Sequence, residues 1–103
     1  CKINWEDSLD SIYNHIRGLN PFPAAWSEMN NGGITTVKIY KVRKEKADHT
    51  EIIKTITTSK EEIKIAVKGG YIHIDQLKIS GKKKLDSKSL LNGYTFSSNA
   101  EML

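Results

Sequence analysis

The sequence predicts a mainly β fold of the α+β class, a small antiparallel barrel preceded by one amphipathic helix and closed by a short helix. Three observations predict it. Apolar residues recur at helical spacing near the start of the chain and at strand spacing from Thr36 to Ile79, and no long helical pattern separates the strand-like segments. At 103 residues the chain has the length of one domain, and we expect residues 1–103 to form it.

The first element is a predicted helix over residues 8–18. Its apolar residues form one stripe at helical spacing: Leu9, Ile12, Tyr13 and Ile16. Asp7 or Ser8 can cap its first turn, and Gly18 can end it. Residues 20–23 then form a rigid corner, because each of their two prolines restricts the preceding residue to extended conformations.

Residues 24–80 are predicted to form the barrel. β-branched residues alternate with lysines in several short runs, and Gly69-Gly70 marks a tight turn between two of them. The charged residues 43–49 indicate a loop, and the isoleucines and threonines of residues 52–58 indicate the second strand. About five short strands at roughly ten-residue spacing are typical of a small antiparallel barrel.

The last part of the chain contains one more predicted element. Asp86 or Ser87 can cap a short helix over residues 86–92, which Gly93 ends. Residues 94–103 show no periodicity, so we expect a loose tail. The chain opens on Cys1 rather than on Met, and we expect it to be a piece of a longer protein.

Composition excludes several classes of protein. One cysteine excludes an internal disulfide framework. No apolar run reaches the roughly 20 residues of a membrane helix, and no signal peptide is recognisable. We therefore expect a soluble, cytoplasmic protein without a membrane partner.

The sequence does not contain a recognisable catalytic or metal-binding motif. His15, His49 and His73 lack the spacing of metal ligands, so we expect no metal site. His15 lies off the apolar stripe, and His73 alternates with Ile72 and Ile74, so both are expected to face solvent. The acidic pair Glu6-Asp7 lies before a helix and the pair Glu61-Glu62 lies in a turn. Neither pair has an apolar pocket that would raise a carboxyl pKa. We therefore expect no catalytic residue in this chain.

Positive charge is concentrated in the later part of the chain. The formal net charge is +4, yet residues 31–103 alone carry 14 basic and 8 acidic residues. Residues 77–93 contain five lysines and a single acidic residue, Asp86. A localised basic surface favours nucleic acid as a partner, and the alternative is that the lysines only solvate a small β domain. Tyr40 and Tyr71 are the candidates for base stacking, whereas Phe22 and Trp26 are expected in the core.

Two segments resemble one known family. Residues 16–26 (IRGLNPFPAAW) resemble the helix end and corner that open the C-terminal domain of methionyl-tRNA formyltransferases. Residues 77–85 (LKISGKKKL) and the following residues 87–93 resemble the closing strand, Gly-Lys-Lys turn and final helix of that domain. The resemblance covers nearly all of residues 2–93, with the segments in the same order.

The resemblance implies an OB-like barrel that contains no active site. In this family a separate N-terminal catalytic domain transfers a formyl group from 10-formyltetrahydrofolate to initiator Met-tRNA, and the basic C-terminal domain helps to hold the tRNA. The resemblance thus implies initiator Met-tRNA and the N-terminal domain as partners, 10-formyltetrahydrofolate as the cosubstrate of the parent enzyme, and a role in translation initiation. We expect a monomer.

The candidate nucleic-acid-binding residues come partly from the resemblance and partly from charge. Arg17 matches an arginine of the family's corner motif, where it can also be structural, and Lys82 and Lys83 match the Gly-Lys-Lys turn. The remaining candidates are chosen for charge. The full set is Arg17, Lys38, Lys41, Arg43, Lys78, Lys82, Lys83 and Lys84.

Two alternative functions remain open at this stage. Related barrels follow the catalytic domains of 10-formyltetrahydrofolate dehydrogenases and sugar-nucleotide formyltransferases, which act on small molecules and need no basic groove. A free-standing RNA-binding or protein-interaction module is the other alternative. The basic charge of residues 31–103 favours the tRNA enzyme over the first, and the missing N-terminal Met argues against the second.

Overall fold

The structure is a computed structural model that describes residues 2–19 and 24–103. Two helices and seven strands follow one another along these residues. In chain order they are α1 (Leu9–Leu19), β1 (Ala25–Asn30), β2 (Ile34–Lys46), β3 (Ile56–Thr58), β4 (Ile63–Val67), β5 (Gly70–Ile79), β6 (Lys84–Asp86), α2 (Ser87–Leu91) and β7 (Glu101–Met102).

The strands form one antiparallel sheet that curls into a nearly closed barrel. Its order is β3-β4-β5-β2-β1-β7, and β6 pairs with β5 outside this path. The two ends of the path meet, because the Ile56 N–H donates to the Ala100 carbonyl at 3.1 Å and the Met102 N–H donates to the Lys54 carbonyl at 2.8 Å. This arrangement confirms the predicted α+β fold and fits a small OB-like barrel.

The core fills the barrel from the inner face of the sheet and from the helix. On β1, Ala25, Ser27 and Met29 point inward and alternate with less buried neighbours. The indole N–H of Trp5 donates to the Ser27 hydroxyl at 2.8 Å, which satisfies both polar groups inside the core. The predicted apolar stripe of α1 packs against this core, with Leu9, Ile12 and Ile16 all buried.

Two predictions about the middle of the chain are wrong. Residues 43–46 do not belong to a loop but extend β2, because they find partners at the start of β5. Gly70 permits this pairing, since a Cβ there would collide with the Glu45 carbonyl oxygen. The strand predicted over residues 52–58 is shorter than expected. It is β3, which spans only Ile56–Thr58, and Ile52 is 81% exposed.

The prediction of a loose tail over residues 94–103 is also wrong. Met102 pairs with Met29 of β1, the Leu103 N–H donates to the Glu28 carbonyl at 2.8 Å, and Ala100 and Met102 are each 1% exposed. Two residues of strand are too few to show a period, so the sequence carries no signal for them. β7 therefore closes the barrel between β1 and the segment before β3.

Both predicted helices are present and lie within one residue of their predicted bounds, although α1 continues through Gly18 to Leu19 and does not end at Gly18. Asp86 is the N-cap of α2, because its carboxylate accepts the Ser89 backbone N–H at 2.7 Å, and this hydrogen bond lowers the pKa of Asp86. The predicted corner over residues 20–23, with Phe22, lies outside the described residues.

Closure by β7 predicts that Met102→Ala is strongly destabilising. Removing a side chain that is 1% exposed leaves a cavity, and we expect the free energy of unfolding to fall by about 2–5 kcal/mol. Urea unfolding followed by circular dichroism measures this change. The matched control is Ile52→Ala at an 81% exposed position, for which we expect a change within about 0.5 kcal/mol. Equal small effects of both variants would contradict the closure.

Candidate nucleic-acid interface

Three of the predicted site residues lie side by side on adjacent strands. In the antiparallel pairs, Lys38 of β2 is opposite Lys78 of β5, and Lys78 is in turn opposite Lys84 of β6. We call Lys38, Lys78 and Lys84 the lysine row. Neighbouring strands lie about 4.8 Å apart, so the row brings three cations together across the outer surface of the barrel.

The alternation of side chains along the strands places the lysine row outside the barrel. Val37 and Ile39 flank Lys38, and Leu77 and Ile79 flank Lys78, and all four apolar side chains are buried. Because successive side chains point to opposite faces, the lysines between them must point outward.

The charges of the lysine row are not compensated by neighbouring acids. None of the three lysines forms an ion pair with a carboxylate of residues 2–19 or 24–103. Like charges directly opposite each other on a sheet are destabilising. The row therefore opposes folding, and a bound polyanion would relieve the repulsion.

Two more predicted lysines lie in the turn next to the row. Gly81 has φ 82°, a left-handed conformation that favours glycine, and the Lys82 N–H donates to the Ile79 carbonyl at 2.9 Å. This turn projects Lys82 and Lys83 into solvent between β5 and β6. We call residues 81–83 the basic turn.

A small cleft opens at the junction of the row and the turn. It measures about 170 Å³ and is lined by Thr36, Lys38, Lys78, Ser80 and Gly81. Thr36 lies on β2 and Ser80 directly follows β5, and the two residues are held together because the Ser80 N–H donates to the Thr36 carbonyl at 3.0 Å. The two ammonium groups and the two hydroxyls can each donate a hydrogen bond to the oxygens of a phosphate group.

Aromatic rings flank the lysine row. Trp26 of β1 is opposite Lys38, and Tyr40 follows Lys38 by two residues on the same strand. The Lys84 ammonium lies 4.4 Å from the centre of the Tyr40 ring, and the Lys2 ammonium lies 5.9 Å from a Trp26 ring centre. The lysine row, the basic turn and these two rings form what we call the cationic face.

Trp26 and Tyr71 exchange the roles expected from the sequence. Trp26 was expected in the core but is only half-buried on the outer surface. Tyr71 was a stacking candidate but is buried at 9% exposure, beside the His49 ring with a centre distance of 4.7 Å. A hydrogen bond to Glu51 and burial raise the pKa of Tyr71 to about 12. The register between strands, which no local pattern shows, decides both positions.

Arg43 lies in a different electrostatic environment from the lysine row. Its guanidinium donates to both carboxylate oxygens of Asp75 at 3.0 Å and contacts Glu62 at 3.5 Å. The Asp75 hydrogen bond raises the pKa of Arg43. Since its charge is already compensated, Arg43 is a weaker candidate for phosphate binding than the lysines.

The two other predicted cations also lie apart from the row. Arg17, at the end of α1, donates to the Asn14 side chain at 3.0 Å, and its guanidinium lies 5.4 Å from the Tyr13 ring centre. Lys41 is exposed at an irregularity in the β2–β5 pairing, opposite Gln76.

The three histidines lie in different environments. His15 is exposed, as expected. His73 is not exposed as expected: its side chain is 11% exposed and its Nε2 contacts Glu45 at 2.6 Å, which lowers the pKa of Glu45. His49 Nε2 contacts the Val67 and Gly70 carbonyls at 2.8 and 3.0 Å and so fixes the β4–β5 turn.

The described residues contain neither a cluster of possible metal ligands nor a helix that could span a membrane. Among residues 2–19 and 24–103, no three histidine, cysteine or acidic side chains are grouped as metal ligands would be. Neither helix of that part of the chain has the length and hydropathy needed to span a bilayer.

Comparison with known proteins identifies the family. The family model described as "Formyl transferase, C-terminal domain" matches residues 1–95. The chain belongs to this family. A formyl transferase C-terminal domain is, by its description, one part of a larger transferase.

Curated relatives are named methionyl-tRNA formyltransferase. The protein of Flavobacterium psychrophilum is 43% identical over 98 residues, which cover 94% of this chain and 31% of the relative. That of Flavobacterium johnsoniae is 41% identical over 103 residues, covering 99% and 33%. That of Parabacteroides distasonis is 37% identical over 97 residues, covering 91% and 30%. The chain thus spans about a third of the length of these relatives.

The uncompensated lysine row predicts that neutralising its central residue stabilises this formyl transferase C-terminal domain. Because Lys78→Gln removes repulsion from both sides, we expect the free energy of unfolding to rise by about 0.2–1 kcal/mol at low salt. The gain should shrink in about 1 M salt, where the Debye length is about 3 Å. Thermal unfolding at both salt concentrations measures the effect.

The matched control is Lys60→Gln, which removes the same charge from an exposed lysine between β3 and β4. We expect it to change stability by less than Lys78→Gln at low salt. If both variants gain equally, net charge rather than the row explains the effect.

Proposed function

We propose that the chain is the C-terminal domain of a methionyl-tRNA formyltransferase and that its cationic face helps to position initiator Met-tRNA. The names of the relatives and their length, three times that of this chain, support the first part. The observation that carries the second part is the lysine row, because three aligned cations without ion-pair partners favour a polyanion that spans several of them over a small-molecule substrate.

In this proposal the domain contributes binding and not chemistry. The formyl group comes from 10-formyltetrahydrofolate in an N-terminal catalytic domain of the same protein, and the tRNA lies against both domains in the cytoplasm. The lysines contact backbone phosphates, which orient a nucleic acid without reading its sequence. Specificity for the initiator tRNA therefore resides mainly outside this domain.

The proposal gives the predicted site residues unequal roles. Lys38, Lys78 and Lys84 contact phosphates from the sheet, and Lys82 and Lys83 contact them from the basic turn. Arg43 and Arg17 brace the domain through the contacts they already make to Asp75 and Asn14. The alternative of a barrel that serves a small-molecule formyltransferase is less well supported, since it gives no role to the lysine row.

Titration of the chain with initiator tRNA at about 50 mM and 200 mM salt tests this function. We expect weak binding that falls as salt rises, because each phosphate contact releases counterions. In the variant Lys82→Ala/Lys83→Ala/Lys84→Ala, binding should weaken, and the slope of log affinity against log salt should decrease by about one for each lost contact.

A control variant separates the cationic face from net charge. Lys46→Ala/Lys60→Ala/Lys68→Ala removes the same three charges from exposed lysines that form no ion pair with the described carboxylates. It should retain most of the affinity. Equal losses in both variants, or no binding at low salt, would refute the proposed role of the cationic face.

A further inference from the structure

The cationic face contains two aromatic rings in positions where a polyanion-binding surface alone would not need them. Trp26 and Lys38 are direct partners across β1 and β2, and Tyr40 shares the outer face with Lys38 because it follows two residues later. Both rings are therefore neighbours of Lys38. The Trp26 ring lies on the adjacent strand, and the Tyr40 ring lies further along the same strand.

The exposure of these rings distinguishes them from the core aromatics. Trp5 is 1% exposed and its N–H is hydrogen-bonded to Ser27, whereas Trp26 and Tyr40 are only half-buried. The contacts of Trp26 and Tyr40 include the ammonium groups of Lys2 and Lys84. Lys2 also forms an ion pair with Glu28 at 3.7 Å, whereas Lys84 forms none with a described carboxylate. Lys84 can therefore exchange its ring contact for a phosphate and leave the ring face to another planar group.

The cleft at the junction of the lysine row and the basic turn lies beside the rings. The cleft of about 170 Å³ contains Lys38, which neighbours both rings, together with Lys78 and the hydroxyl residues Thr36 and Ser80. Groups that can donate hydrogen bonds to a phosphate thus lie within a few residues of two aromatic rings on the same sheet. This is the combination that single-stranded nucleic acid uses, with backbone phosphates on cations and bases on aromatic faces.

Helical RNA would use only half of this surface. In a duplex the base faces are stacked inside, and a protein meets phosphates, sugars and groove edges. The lysines could bind such a helix, but Trp26 and Tyr40 would have no base face to contact. An unpaired strand presents both groups at once.

We propose that the cationic face binds an unpaired segment of RNA, with bases stacked on Trp26 and Tyr40 and a phosphate in the cleft between Lys38 and Lys78. This inference rests on the proposed function, since it specifies which part of an RNA the same face contacts. On binding, Lys84 moves from the Tyr40 ring to a neighbouring phosphate.

Fluorescence titration of the 103-residue chain tests the inference with three probes. The first is a single-stranded RNA of about 8 nucleotides, within the roughly 4–16 that one OB fold covers. The second is an abasic strand with the same number of phosphates, and the third is a blunt RNA duplex. Stacking on Trp26 quenches its emission, while buried Trp5 provides a constant background.

We expect the single strand to quench the tryptophan emission and to bind more tightly than the abasic strand, by about 5- to 150-fold for each stacked base. Tyr40→Leu should lower affinity for the single strand by a factor in that range and leave affinity for the abasic strand unchanged. Trp26→Leu should abolish the quenching. Circular dichroism verifies that each variant is folded, and the unmodified chain alone decides the comparison of probes.

The matched control is Tyr13→Leu on α1. Tyr13 also has cations over its ring, with Lys44 at 5.0 Å and Arg17 at 5.4 Å, but it lies outside the cationic face. We expect this variant to bind the single strand as the unmodified chain does. A loss equal to that of Tyr40→Leu would overturn the placement of the bases.

The outcomes separate this inference from the proposed function. Equal, salt-sensitive binding of the single strand, abasic strand and duplex would overturn base stacking and leave a phosphate-binding face intact. Preferential binding of the duplex would overturn it in the same way. Absence of salt-sensitive binding to any probe would refute both the inference and the RNA-positioning function beneath it.

Discussion

The pairing register of β2 with β5 decides which side chains meet on each side of the barrel. Opposite each other on the inside lie Val37 and Ile79, followed by Ile39 and Leu77, and all four are buried. A slip by one residue would turn these apolar side chains to solvent. The core therefore fixes the register, and the register in turn forces Lys38 and Lys78 together on the outside despite their repulsion.

An irregularity in the same strand pair divides the outer surface into two electrostatic regions. The register shifts around Lys41, and beyond this point Arg43 pairs with Asp75 and His73 contacts Glu45. Before it, the lysine row forms no ion pair with a carboxylate of the described residues, and Lys84 lies over the Tyr40 ring. One region compensates its charges internally and adds to the rigidity of the barrel, whereas the other retains its charge for a partner.

The elements that depend on local pattern could be predicted from the sequence, and those that depend on distant pairing could not. The stripe of α1 and the Asp86 cap are local, and both were predicted correctly. Closure by Met102 requires a partner more than 70 positions earlier in the chain, Met29, and its segment is too short to show a period. The lysines were found by charge, but their alignment, like the exposure of Trp26, follows from the register and needed the structure.

The central claim is that the side of the barrel with uncompensated lysines is the side that contacts RNA. Two-dimensional NMR of the isotope-labelled chain, titrated with initiator tRNA, tests it most directly. We expect the largest amide shifts at Lys38, Lys78, Lys84 and the basic turn, with little change around Arg43 and Asp75. Shifts concentrated around Arg43, with the lysine row unchanged, would contradict the account.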